Sequence, residues 1–405
     1  MTSVYIKNGR VILEDRIADN TTIEINNGRI SSIGKKIRTK KGSFLIDAKG
    51  CFVSPGFIDC HIHGEPEKIF FNEARHGMTA FVAAESCAPL NYIYKRAENL
   101  KEFIRTHPFG PNLLGLRLEG PYISKAKAGA QDTAHIRKPD AKELSSVIDK
   151  CGGFLKIMTI APELKDAIPL IRLLRKHKII ASIGHSDATY ERAVEGIDAG
   201  IAHCTHIFNA MSPLDRRDPG VVGAVLMDDR VATEIILDLA HVHKALFGLL
   251  VRLKKKENVI VVTDSIVALD CFALHHSSLC SSGTGLAMTK GSRVPKPFAS
   301  LRFGAGMGQG SRSLEMMGGA YRFEDGRLAG SSLTMIGALK NAVQSANLPL
   351  QEALKMITIN PAKLLKVEGQ KGSIAVDKDA DITVFDEKFD VKMAMIRGRI
   401  AYQKQ

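Results

Sequence analysis

A (β/α)8 barrel with a small β-sandwich domain formed by both chain termini is the fold that this sequence predicts, and two observations predict it. Eight short apolar runs, at 57–62, 79–84, 113–118, 154–160, 179–183, 201–205, 231–237 and 259–263, are separated mostly by segments of helical period. Strand and helix in alternation indicate parallel βα units, and eight such strands match barrel closure. Six of the runs also end in residues that bind metals or move protons. Phe57–Ile62 leads into His61 and His63, Leu113–Leu118 into Glu119, and Ile179–Ile183 into His185. Ile201–Thr205 leads into His206, Val231–Leu237 into Asp238 and His241, and Val259–Thr263 into Asp264. Polar groups at the carboxyl ends of consecutive buried strands are how such a barrel builds a site on one face.

The elements follow in order. Residues 1–54 read as short strands at Val4–Lys7, Arg10–Leu13, Thr21–Ile25 and Arg29–Ile33, with Asn-Gly and Asn-Asn-Gly as turn signals between the pairs. Pro55-Gly56 marks the change to the barrel. Among the helices, Tyr190, Val194, Ile197 and Ile201 recur at helical spacing after Ser186-Asp187, an expected N-cap. Late helices are expected at 333–346 and 350–366, then strands at Ala380–Phe385, Val391–Ile396 and Arg399–Tyr402 that rejoin the N-terminal strands. The expected division is 1–54 and 371–405 for the small β-domain and 55–370 for the barrel. Residues 270–317 fit neither pattern. Rich in Gly and Ser, with Asp270 and Glu315 as their acidic residues, they read as a disordered or poorly packed insertion. A stretch whose translated sequence is wrong, and a functional lid, are the other readings.

Composition narrows the function classes. At 405 residues the chain can bury a large core, of which a barrel takes about 250. Hydrophobic content of 45% and charged content of 24% are ordinary for a soluble enzyme. No apolar run approaches the roughly 20 residues that cross a bilayer. The start Met1-Thr-Ser-Val-Tyr-Ile lacks the pattern of a signal peptide, so a cytoplasmic protein is expected. Seven scattered cysteines with no CxxC argue against a disulfide framework or a thiolate zinc site, and most read as small core residues. The net charge of +13 suits either a nucleic acid or an anionic substrate. Its basic runs, Lys35-Lys36 to Lys40-Lys41 and Lys254-Lys255-Lys256, are short, lack interleaved aromatics and read as solvated surface. Neither nucleic acid nor membrane is an expected partner.

His61 and His63 form an HxH pair, and residues i and i+2 of a strand share a face. Glu119 precedes Gly120-Pro121, a sharp turn after a buried strand, although a surface carboxylate would also fit there. His185 and His206 each end a buried strand. One such His is ordinarily a satisfied core residue, but two on adjacent strands with Glu119 nearby form the pattern of three protein ligands and an open position used by catalytic zinc. Asp264 serves either as a helix N-cap or as the carboxylate that takes and returns a proton. Arg217, in Asp215-Arg216-Arg217-Asp218, is either a phosphate-binding guanidinium or a solvated turn.

Together these motifs resemble the amidohydrolase superfamily and, within it, the N-acetylglucosamine-6-phosphate deacetylase family. The resemblance rests on PGFIDCHIHG (55–64), RLEGPYIS (117–124), AGAQ (128–131), KIMTIAPE (156–163), SIGHSDA (182–188), HCTHIFNAMSPL (203–214), RDPGVVG (217–223), HVH (241–243), VTDS (262–265), LAGSSLTM (328–335), NPAKLL (360–365) and KGSIAVDKDADITVFD (371–386). It implies deacetylation of N-acetylglucosamine 6-phosphate by a water on a divalent metal, zinc being expected, with one or two ions. It makes Glu119, His185 and His206 the main metal ligands, His61 and His63 the support of a second ion, and Asp264 the general base and then acid. Gln131, Asn209, Ala210, Arg217, His241, Ala329, Gly330 and Ser331 would contact the phosphorylated amino sugar, with Arg217 serving the phosphate. Arg217 and His241 would reach a neighbouring subunit's site, which implies a homodimer. The chain departs from the family pattern in a shorter stretch after His63, in 270–317, and at Asp377, where Gly is usual. The competing expectations are another amidohydrolase acting on a cyclic amide or amine, and an inactive barrel kept as a binding scaffold.

Overall fold

The computed structural model describes residues 3–107, 112–268, 301–303 and 312–404. Eight parallel strands follow one another in space as in sequence: Phe57–Gly64, Met78–Glu85, Asn112–Leu118, Leu155–Ile160, Ile180–Ile183, Ile201–Cys204, Ala232–Ile236 and Val259–Val262. Their runs of Val, Ile, Leu, Phe and Ala are buried almost throughout, as expected for a parallel sheet covered by helices. The curl closes between the last strand and the first. There the Asp264 N–H donates to the His61 carbonyl at 2.8 Å and the Thr263 hydroxyl donates to Asp59 at 2.6 Å. Elsewhere along these two strands the Ile58 and Val261 N–H groups donate to the carbonyls of Ile357 and Met356. The fold is the (β/α)8 barrel that the alternation of runs predicts.

Both termini build a second sheet. Its order is Arg399–Gln403, Val391–Ile396, Ile382–Phe385, Phe52–Pro55, Val4–Ile12, Ile17–Asn26 and Arg29–Gly34, with Phe44–Asp47 also paired to Val4–Ile12. Ile6, Val11, Ile23, Ile30, Val53, Ile382, Val384 and Met395 form its own apolar cluster, giving a sandwich-like domain. A buried polar joint ties it to the barrel. Lys371 donates to Asp379 and Asp381 at 2.7 Å each, and Asp381 also accepts from Asn112, at the start of the third barrel strand, at 2.8 Å.

Several local expectations are corrected. Asn8-Gly9 is not a turn: Val4–Ile12 is one strand with a bulge there, and a Cβ at Gly9 would meet Val53 at 2.4 Å. Close backbone approach, not chain reversal, therefore requires this glycine. The helix after the fifth barrel strand runs Tyr190–Ala199, so Ile201 opens the next strand instead of continuing the helical stripe. Its N-cap is Thr189, whose hydroxyl accepts from the Arg192 N–H, in place of Ser186-Asp187. The expected helix at 350–366 is two short ones, Leu350–Lys355 and Ile359–Leu364, broken at Thr358. Asp377 has φ 69°, a left-handed conformation that Asp tolerates and Gly prefers.

The segment 270–317 is covered in part. Leu301–Phe303 and Arg312–Met317 are strands of an antiparallel extension that continues through Ala320–Phe323 to Leu328–Ser331. At these two strands the backbone is paired where the sequence reading expects no regular element. Leu314 is buried against Ile266, Tyr321, Phe323 and Ala329, and most of these partners lie beyond the segment itself. The rest of 270–317 lies outside the described residues. Among the described residues no helix is long and apolar enough to cross a membrane.

Lys371→Ala leaves two carboxylates facing each other in the joint and is expected to cost about 3–5 kcal/mol of stability, read from denaturant unfolding. A loss below 1 kcal/mol contradicts it. Glu73, ending the helix Pro66–Glu73, is buried with Oε2 unpartnered, and burial, with the Asp59 charge adding, raises its pKa to about 8. Because the folded value exceeds the ordinary 4.5, the unfolded chain loses this proton first. Stability should therefore fall between pH ~4.5 and ~8, at no more than about 1.4 kcal/mol per pH unit from this group. Glu73→Gln should remove that slope and gain most over the parent near pH 8. Parallel stability–pH curves for the two proteins would rule the assignment out.

Candidate active site

The barrel strands deliver six side chains to one mouth. His61 and His63 lie in the last residues of Phe57–Gly64, and Glu119 follows Leu118 with its N–H donating to the Glu85 carbonyl at 2.8 Å. His185, His206 and Asp264 each stand two residues past the end of a strand, at φ 48°, 26° and 49°. Left-handed backbone at a non-glycine residue costs about 1–3 kcal/mol and persists where the surroundings impose it. Neighbouring backbone does so here: Ser124 N–H donates to the His185 carbonyl at 2.8 Å, Asn209 N–H to that of His206 at 3.1 Å, and Ser331 N–H to that of Asp264 at 3.0 Å. The sharp turn ends each strand and swings its side chain over the barrel.

The six fall into two groups that share a border. Glu119 Oε1 lies 2.8 Å from His206 Nε2 and 3.1 Å from His185 Nε2. Asp264 Oδ1 lies 3.2 Å from His63 Nε2 and 3.3 Å from His61 Nε2. The groups meet at Glu119, whose Oε1 is 3.6 Å from His61 Nε2 and whose Oε2 is 3.7 Å from His63 Nε2. Within each group the candidate ligand atoms are within 4.8 Å of one another. Burial alone would raise Glu119, yet His61, His185 and His206 hold it well below the usual carboxylate range. Burial and the Arg117 charge push His61 down, but Asp264 and Glu119 outweigh them and lift it to about 10. This pocket favours positive charge strongly, and imidazole with carboxylate is a donor set for a divalent ion. His61 Nε2 has no conventional hydrogen-bond partner in the protein, a further sign that the residues present fit a metal.

The expected sugar-phosphate contacts are distributed around this centre. Gln131 is buried and fully engaged: its Nε2 donates to Glu119 Oε2 at 2.7 Å and its Oε1 accepts from the Cys87 N–H at 2.8 Å. Asn209 and Ala210 follow His206 in the same turn, Ala210 at φ 49°. Ala329, Gly330 and Ser331 form the strand edge beside Asp264, and the Ser331 hydroxyl donates to the Thr263 carbonyl. His241 Nδ1 lies 2.6 Å from Asp238. Arg217 is exposed, its N–H donating to Asp215. The contacts described within one chain do not bring the Arg217 or His241 side chain onto the six central residues.

Beneath the centre is a polar layer that sequence reasoning missed. Arg117, Glu234, His203, Thr205 and Ser182 are buried inside the barrel, where the Arg117 guanidinium donates to the Glu234 carboxylate and to Thr205 Oγ1. Asp59 also belongs to it, accepting from the His61 N–H at 3.0 Å, with burial raising its pKa to about 6. The available signal was a charge inside an apolar run: Arg117 two residues before Glu119, and Glu234 within Ala232–Ile236.

Residues 52–401 match the amidohydrolase family, and the chain belongs to that family. Within it, the chain is similar to deacetylases of phosphorylated amino sugars. The N-acetylglucosamine-6-phosphate deacetylase of Bacillus subtilis (strain 168) is 31% identical over 416 residues, covering 99% of this chain and 97% of that one. The N-acetylgalactosamine-6-phosphate deacetylase of Escherichia coli O157:H7 is 29% identical over 364 residues, covering 86% and 87%. The crystal structure of N-acetylglucosamine-6-phosphate deacetylase from Pasteurella multocida superposes with a TM-score of 0.84 at 26% identity, over 99% of this chain and 100% of that one.

Proposed function

We propose that the chain hydrolyses the amide of N-acetylglucosamine 6-phosphate, giving glucosamine 6-phosphate and acetate. The observation that carries this reading is the pair of donor groups meeting at Glu119, in a chain similar over nearly its whole length to deacetylases of that substrate. Glu119, His185 and His206 would hold a divalent ion, zinc by the chemistry of the set, and His61 and His63 with Asp264 would hold a second. An ion bound there supplies Lewis acidity at the acetyl carbonyl and lowers the pKa of a water.

The chain's own groups do the rest. Asp264 stands at the border of the two donor groups, its Oδ1 3.3 Å from His61 Nε2 and 3.2 Å from His63 Nε2. Burial would raise it, but His61 and His63 keep it below its ordinary value, so it stands ionised and ready to accept a proton. It takes the proton of the attacking water and returns it to the sugar nitrogen as the C–N bond breaks. Asn209, the backbone at Ala210, and Ala329 to Ser331 would hold the sugar. Gln131 would border it while bracing Glu119. Arg217 and His241 would reach the substrate of a neighbouring subunit, Arg217 at its phosphate, making the enzyme a homodimer. Exposed Leu214 and Leu239, close to them in sequence, support an interface there. Buried free cysteines, such as Cys60, Cys87 and Cys204, support a reducing, cytoplasmic setting.

Acetate release by metal-reconstituted protein tests the reading, with N-acetylgalactosamine 6-phosphate and a cyclic imide as comparison substrates. Release from the glucosamine derivative is expected to exceed turnover of the imide. Turnover of the imide alone would replace the proposal with a different amidohydrolase activity. Asp264→Asn is expected to keep the ion at Glu119 and to lose about 10²–10⁴-fold in turnover. Near-normal turnover with metal retained contradicts the role of Asp264. Glu119→Ala, His185→Ala and His206→Ala should each lose the tightly held ion, whereas His61→Ala should affect a second, weaker one. Metal content per chain decides this, and full occupancy in His206→Ala would refute it.

A further inference from the structure

We infer that Glu234, locked in place by Arg117, is a positioning residue that orients His61 for a second metal ion. The inference rests on reading this face as a metal centre. It assigns work to two residues that touch neither the substrate nor the ion.

Arg117 is the largest fully buried side chain among the described residues. Its Nη1 donates to Glu234 Oε1 and to the Cys60 carbonyl at 3.3 Å, and its Nη2 donates to Thr205 Oγ1 at 2.9 Å. Thr205 Oγ1 is 2.6 Å from Ser182 Oγ, which is 2.9 Å from His203 Nδ1. The His203 ring returns to Glu234, its Nε2 lying 3.4 Å from Oε1. This cycle commits Oε1 and leaves Oε2 without a conventional hydrogen bond. Oε2 faces His61 Nδ1 at 3.4 Å, itself unpartnered otherwise.

The consequence is a choice of tautomer. A histidine that ligates a metal is neutral and carries one proton on its other nitrogen, and a carboxylate beside Nδ1 fixes it there. The lone pair is then on Nε2, the atom that faces Asp264 Oδ1 at 3.3 Å and Glu119 Oε1 at 3.6 Å. A carboxylate behind a ligating histidine orients the ring and makes it a better donor, and its loss typically costs 10–100-fold in metal affinity. Glu234 does this only when ionised. A lone carboxylate at this depth would be too costly, and the Arg117 guanidinium offsets that cost. If the pair merely filled the barrel floor, metal binding would be indifferent to its charge.

Glu234→Gln keeps the shape and removes the charge. Metal content of the full-length protein, measured against free Zn²⁺, is expected to reach two ions per chain in the parent. The variant should keep the tighter ion and bind the second about 10–100-fold more weakly. His61→Ala should lose the same ion, and the double variant should lose no more than His61→Ala alone. Unchanged affinity for the second ion in Glu234→Gln, or one ion per chain in the saturated parent, overturns the inference. Should Glu234→Gln fail to fold, ¹⁵N NMR of labelled histidine in the Zn²⁺-loaded parent decides instead: a protonated Nδ1 on His61 supports the inference, and a protonated Nε2, or both nitrogens protonated, overturns it. Both readouts are independent of deacetylation. Absent turnover with two ions bound would count against the proposed reaction alone, and normal turnover with an indifferent Glu234 against this inference alone.

Discussion

Glu119 projects its carboxylate between four histidines contributed by three different barrel strands and the turns that follow them. Oε1 approaches His206, His185 and His61, and Oε2 approaches His63. Each of these groups is buried, so none can rely on water to neutralise it. A carboxylate removed from water at this depth is tolerable only if surrounding positive charge or donors replace its hydration. Gln131 supplies one such donor, and the histidines, with whatever cation they gather, supply the rest. The arrangement of the mouth follows from this requirement. Strands must end where these side chains can converge, and the turns after the fifth, sixth and eighth strands must adopt left-handed backbone to aim them.

Support for that convergence is layered. Arg117, Glu234, His203, Ser182 and Thr205 form a closed set of polar contacts below it. On one side, the Asp59 carboxylate holds the His61 N–H and the Thr263 hydroxyl, which joins the first strand to the eighth. Further out, Arg96 clamps the end of the first strand, donating to the Gly64 carbonyl and to the carboxylates of Glu65 and Glu85. Rigid support of this kind limits how far a ligand can drift, and catalytic geometry tolerates little drift.

The barrel was legible because its strands are buried on both sides and appear as unbroken apolar runs, each matching an observed strand to within one or two residues. Glu119, His185, His206 and Asp264 were legible because they interrupt or follow those runs. Arg117 and Glu234 were not. Each looks like a single polar exception within a strand, and they meet only when residues 117 positions apart are folded together. Local signals also failed where tertiary contact decides the outcome. Asn8-Gly9 has turn chemistry, yet the sheet keeps it in a bulged strand because Val53 packs against Gly9. Arg312–Met317 shows no period because, among its described side chains, Leu314 alone is buried, against Tyr321, Phe323 and Ala329 beyond it, while Glu315, Met316 and Met317 stay exposed.

The central claim is that Glu119 is the hub of a metal centre at the carboxyl ends of the barrel strands. Anomalous diffraction from crystals of the Zn²⁺-loaded protein, recorded at the zinc edge, tests it most directly. The account predicts a strong peak among Glu119, His185 and His206, and a weaker one among His61, His63 and Asp264. A loaded crystal with no peak beside Glu119, or with its zinc bound elsewhere on the chain, would contradict it.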